Sequence, residues 1–236
     1  MNALENKNVH EKDPELVVAF IKGVISTIPV VGGILAEVGN VWFNPLEKRK
    51  QEWISQISSA IQELENRFNG ITQTLQDDDV FISFLYQTTS IALKNHRKEK
   101  IEALRNSVMH VALKKQINED VIFQFLNYLD SLTVTHIVIL REISNKIKII
   151  GTFDNILDIY LEVSKSLDVS LEKAIFRSFL SDLDTRFLIR IGDVEDFQEF
   201  ASKKILRAVL ESSIRYLEVT SLGVSFLEFI NTPIDS

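Results

Sequence analysis

The sequence predicts a mainly α fold: an amino-terminal helical bundle around an apolar, Gly/Pro-broken helical hairpin, followed by a carboxyl-terminal module of helices with a small β-hairpin. Three observations carry this prediction. Apolar residues recur at three- and four-residue steps along most of the 236-residue chain, the spacing of a helix with one buried face. Only two short stretches, near 186–191 and 215–220, alternate like strands. Asp, Asn, Ser, Gly and Pro fall at the ends of the periodic segments, where helix caps and stops belong. The composition is that of a globular protein, with 45% hydrophobic and 25% charged residues, and it has no cysteine. Disulfides, thiolate nucleophiles and Cys-type zinc sites are therefore excluded. The change of pattern after Ser131 divides the chain into residues 1–130 and 131–236.

The first fifteen residues are polar and mixed in charge, without the basic start and apolar run of a signal peptide; the expected location is cytoplasmic or peripheral to the inner membrane. Asp13 and Pro14 form a helix start, and the helix runs toward Thr27 and breaks at Pro29. Gly32 and Gly33 permit a bend before a second short helix, Ile34 to Phe43. Between Lys22 and Glu37 lie fourteen uncharged residues, short of the roughly twenty that a spanning helix needs. The hairpin, about 16–43, has two readings: a core sheltered by later helices, or an element that can leave the bundle for a bilayer.

Pro45 opens an amphipathic helix whose stripe is Trp53, Ile57, Ala60, Ile61, Leu64 and Phe68, ended by Asn69-Gly70. Asp77, Asp78 and Asp79 are read as an N-cap with favourable helix-start charge rather than a metal site. The next helix buries Phe81, Phe84, Leu85, Ile91 and Ala92 and then turns basic. Lys94, His96, Arg97, Lys98 and Lys100 make the densest positive cluster. With Lys48, Arg49 and Lys50, the cations Lys94, Arg97, Lys98 and Lys100 are the candidate contacts for anionic headgroups or phosphates. The pattern continues through Ile101, Leu104, Val108, Val111 and Ala112, and Asn118 caps a helix through Leu129.

In the carboxyl-terminal module, helices are expected from His136 to Ser144, after Asp154, and from a Ser170 cap through Leu183. A strand follows at Arg186–Ile191, a helix-like segment at Asp196, a second strand at Arg215–Thr220, and a last helix from Val224 to Ile230 after a Gly223 turn.

Three resemblances bear on function. The run from Val24 to Arg67 resembles the opening of bacterial membrane-active helical bundles, which implies membrane association in a stress or phage-defence setting. Arg105-Asn106-Ser107-Val108-Met109-His110 resembles the Arg-polar-three-residue-His signature of HEPN-type ribonucleases. That likeness implies Arg105 and His110, beside Asn106, acting on a 2′-hydroxyl and its phosphate without metal. Phe179–Ile191 and Tyr216–Ile230, with Thr220, Gly223 and Phe226 in a T-x-x-G-x-x-F turn, resemble a winged helix, which implies DNA or protein binding. Lys173 and Arg177 are its nucleic-acid candidates. Yet residues 131–236 hold 12 Lys and Arg against 16 Asp and Glu, and the whole chain is −7, a poor electrostatic match to DNA. The sequence thus favours a non-enzymatic protein that needs no cofactor or metal and acts through a protein partner, self-association or an anionic membrane. A DNA-binding regulator and a ribonuclease are the alternatives.

Overall fold

The computed structural model describes residues 14–28, 44–113, 117–150, 156–167, 171–192 and 216–233. The fold is mainly helical, with a small two-stranded antiparallel sheet. It comprises two compact units, Met1–Asn127 with Thr232–Ser236, and Tyr128–Asn231.

In the first unit α1 (Pro14–Ser26) buries Val17, Ile21 and Ile25 on one face and leaves Leu16 exposed. The predicted cap Asp13, the Pro29 break and the second hairpin helix Ile34–Phe43 lie outside the described residues. Helix α2 (Asn44–Arg67) buries the predicted stripe of Trp53, Ile57, Ala60, Ile61 and Leu64. Phe68 departs from that stripe and is 52% exposed. Helix α2 has ended one residue earlier, and left-handed Gly70 (φ 84°) turns the chain away, so the helical spacing no longer aims Phe68 at the core.

A short helix, α3 (Ile71–Gln76), follows where the sequence predicts none. Its cap comes from another element: Glu65 Oε1 accepts the Gly70 N–H at 2.7 Å, and Oε2 accepts the N–H and hydroxyl of Thr72 at 2.8 and 2.7 Å. Asp78 caps α4 (Asp79–Lys94) through the N–H groups of Val80 and Phe81, as its position before the apolar run requires. The basic stretch is a break between two helices, residues 95–97, before α5 (Lys98–Ala112). Asn118 Oδ1 accepts the Asp120 N–H at the start of α6 (Glu119–Ser131).

Helix α1 packs on α2 and α4, and α2 and α4 both pack on α5. Phe20 stacks on Phe81, Phe84 tilts against Phe123, and Trp53 Nε1 donates to the Thr89 hydroxyl at 2.9 Å. Phe81 and Phe84 are fully buried, each contributing about 1.5–3 kcal/mol of hydrophobic stabilisation.

In the second unit α7 (Val134–Ile150) extends at both ends beyond the predicted His136–Ser144. It packs on α8 (Ile156–Ser166) and α9 (Lys173–Thr185). The expected Ser170 cap lies outside the described residues. His136 ties α7 to α9. Its Nδ1 faces the Thr133 N–H at 3.1 Å and its Nε2 stands 3.1 Å from Asp182 Oδ2. The Thr133 hydroxyl lies 2.8 Å from Nδ1. Threonine, histidine and aspartate in a row are the residue types of a nucleophile, base and orienting acid. Here, however, Nδ1 accepts a backbone N–H at the start of α7, which is one half of a capping box.

Strand β1 (Ile189–Gly192) pairs antiparallel with β2 (Tyr216–Val219), Ile189 opposite Val219. The predicted first strand is shorter than expected because 186–188 stop the helix instead. The Phe187 N–H donates to the Asp184 carbonyl and the Leu188 N–H to that of Leu183. This is the paired 5→2 and 6→1 pattern of a Schellman stop, with Phe187 at the position glycine prefers. Phe187 accordingly has φ 58° and is 74% exposed. Little packing offsets the left-handed backbone. Phe187→Gly should raise the unit's stability by about 0.5–1 kcal/mol, read as a higher denaturant midpoint with unchanged m. The segment predicted as a helix from Asp196 lies outside the described residues.

The last helix, α10 (Ser221–Ile230), starts three residues before the predicted Val224, because Thr220 is its N-cap. Gly223 therefore lies inside the first turn, not in a turn before it. Phe226 is fully buried and meets Tyr128 edge-on at 5.8 Å.

Candidate anion-binding cleft

The amino-terminal turns of α2 and the break between α4 and α5 are separated by about a third of the unit's sequence, yet they line one open cleft of about 470 Å³. Helix α2 supplies Arg49, Glu52 and Gln56, with Trp53 at the base. The break supplies Asn95 and His96, and α5 supplies Lys98, Glu102 and Arg105. Three permanent cations thus face two carboxylates and two amides, a lining able to hold a phosphate or other anion by charge and hydrogen bonding.

The sequence candidates divide by direction. Lys48, Lys94, Arg97 and Lys98 are exposed, and Arg49 is half-buried on the cleft wall. Lys48 is 3.8 Å from Glu52, and Arg97 is 3.3 Å from Glu99. A hydrogen bond from its own backbone N–H, then the Arg97 guanidinium, hold the Glu99 carboxyl below the usual carboxylate range. Lys50 turns inward. It is buried, and its Nζ donates to the Ile28 carbonyl at 3.0 Å, where a cation complements the carbonyls just after α1. Lys100 is likewise buried. Their sequence neighbours carried the signal: Lys50 precedes Trp53 by three residues and Ile57 by seven, and Lys100 precedes Leu104 by four. Both therefore stand on core stripes, with apolar stems that suit burial. Glu52, Gln56, Asn95 and Glu102 carried no sequence signal, since only the packing of α2 beside α5 collects them.

Arg105 lines the cleft and pairs with Glu63 of α2 at 3.6 Å. Its Nη1 reaches Asn106 Oδ1 at 3.4 Å. His110 is 5% exposed, within a buried run from Asn106 to Ala112. Five residues along a helix turn a side chain by roughly 140°, so Arg105 and His110 are not brought to one open surface. In the second unit Arg177 is exposed on α9, while the side chain of Lys173 lies outside the described residues.

Among the described residues no group of three His, Asp or Glu side chains could hold a metal ion. Nor is any single described helix long and apolar enough to cross a membrane. Compared with protein-family models, curated proteins and solved structures, the chain matches none.

Proposed function

We propose that the protein is a non-enzymatic interaction protein whose first unit docks on anionic membrane surfaces. The observation that supports this reading is the meeting of Arg49, Lys98 and Arg105 on one open cleft, beside exposed Lys48, Lys94 and Arg97, in a chain of net charge −7. A local cation cluster against an acidic background is what an anionic headgroup layer attracts, at about 1 kcal/mol for each Lys or Arg near the surface. By likeness to bacterial membrane-active bundles, the setting is a stress or phage-defence response.

The second unit, in this reading, is a winged-helix-like module that binds a protein. Its support is the order of three helices, an antiparallel strand pair and a closing helix. Arg190 of β1 pairs with Glu218 of β2 at 3.4 Å, and the module is net acidic, which suits a protein partner better than DNA. A ribonuclease would need Arg105 and His110 on one accessible face, so the burial of His110 favours the membrane reading over that one.

Vesicle flotation tests the proposal. The full chain should float with phosphatidylglycerol vesicles, stay behind with phosphatidylcholine vesicles, and release as salt rises. Arg49→Glu with Lys98→Glu should weaken partitioning by on the order of 100-fold, with the helical circular dichroism spectrum unchanged. A chain that ignores anionic vesicles, or a double variant that floats like the parent, rejects the reading.

A further inference from the structure

Two polar triads meet across the cation cleft. On α2, Arg49, Glu52 and Gln56 are spaced three and four apart, and on α5, Lys98, Glu102 and Arg105 are spaced four and three. Each triad therefore stands on one helix face, and both line the same open concavity. Arg49 and Arg105 are half-buried, while Glu52, Gln56, Lys98 and Glu102 are exposed. The cleft's charges are not spent on one another. Glu52 pairs with Lys48 and Arg105 with Glu63, both partners outside the lining. Among the described residues no ion pair joins a cleft cation to a cleft carboxylate.

A bare phosphate would use only part of this lining. The guanidinium forks of Arg49 and Arg105 and the Lys98 ammonium suit the charged oxygens of one phosphate. Ionised Glu52 and Glu102 can only accept hydrogen bonds, so they repel a multiply charged anion and call for donors. Three permanent cations less two carboxylates leave the lining at +1. That charge matches the single negative charge of a phosphodiester better than the charge of a phosphomonoester, about −1.5 to −2.

Hydroxyl groups are donors that add no charge, and the Gln56 amide can bond to them as well. A headgroup ammonium would also satisfy the carboxylates, but it makes the headgroup net neutral and leaves the +1 unmatched. The volume of about 470 Å³ falls in the range of small-ligand sites, roughly 300–1,000 Å³, so the cleft takes in one headgroup instead of lying flat on a charged layer. Resting on the membrane reading above, we propose that the cleft recognises a phosphodiester monoanion bearing free hydroxyls, the chemistry of a glycerol-type lipid headgroup.

The test compares phosphatidylglycerol with phosphatidylmethanol, a phosphodiester lipid of the same charge without hydroxyls. With vesicles of matched anionic content, the full chain should partition about tenfold more strongly to phosphatidylglycerol, the effect of one or two added hydrogen bonds. In calorimetric titration, soluble glycerophosphoglycerol should bind in preference to dimethyl phosphate. Glu52→Ala with Glu102→Ala, at exposed sites, should strengthen partitioning to phosphatidylmethanol, because two negative charges are gone. The same variant should bring the two lipids level, which a change of charge alone would not do, with an unchanged circular dichroism spectrum. Equal flotation of the parent on the two anionic lipids overturns the inference while membrane docking stands. Equal flotation on phosphatidylethanolamine overturns it too. Preferential binding of glycerophosphoglycerol without any flotation upholds the headgroup chemistry with a soluble source and rejects membrane docking. Single-stranded RNA that releases the chain from phosphatidylglycerol vesicles at a lower phosphodiester concentration than glycerophosphoglycerol overturns the inference in favour of RNA.

Discussion

Replacing Gly223 by alanine should destabilise the second unit by about 3 kcal/mol or more, the upper range of overpacking changes. A Cβ at this position would stand 2.0 Å from the Leu188 carbonyl oxygen and 2.8 Å from Val219 Cγ1. The nearer obstacle is backbone, which cannot rotate aside as a side-chain tip can. It is also backbone in use, since the Leu188 carbonyl accepts the Thr220 N–H at 3.1 Å. Any retreat of α10 from β1 would strain that bond, the Thr220 hydroxyl bond to the Phe187 carbonyl, and the 3.0 Å cap bond from the Gly223 N–H to Thr220 Oγ1. For a unit of this size the loss corresponds to a fall in Tm on the order of 10–20 °C, measurable by calorimetry. A variant that melts with the parent would show that α10 does not pack this closely on β1.

The second large effect is expected at Glu65. Glu65→Ala should cost about 2–4 kcal/mol, since it strands the buried Thr72 N–H and hydroxyl as unsatisfied donors and leaves the exposed Gly70 N–H to water. Glu65→Gln should recover only part of this. It keeps the shape and one acceptor oxygen, but it sets an amide N–H against donors that need a lone pair. Both variants are read by urea unfolding, and the order parent, Gln, Ala in midpoint is the expected result. Equal midpoints for parent and Ala would mean that α3 does not depend on the Glu65 cap. The carboxylate is buried, whereas Lys48–Glu52 is an exposed pair whose removal should change stability by less than about 0.5 kcal/mol.

The contrast between Glu65 and its neighbours shows where legibility ends. Trp53, Ile57, Ile61 and Leu64 announce their burial by spacing alone. Glu65 stands next to Leu64 and looks like any charge on a wet helix face. Its role becomes visible only when α3 folds back beside the end of α2. Lys50 and Lys100 show the same limit for the candidate site: as residue types they join the cation cluster, yet the packing of α1, α2 and α5 takes them out of it. The cleft exists because two segments about fifty residues apart are packed side by side, and periodicity within either segment carries no record of the other.

By itself, then, the chain specified its longer helices with most of their inward faces, two short strands and a helix-start cap within Asp77–Asp79, because each is written in the order of near neighbours. Tertiary structure alone decided which lysines reach water, which carboxylate caps the helix that follows it, and why position 223 must be glycine. Those outcomes depend on what lies across a helix interface. Contact across an interface is fixed by packing of whole elements, which local spacing does not encode.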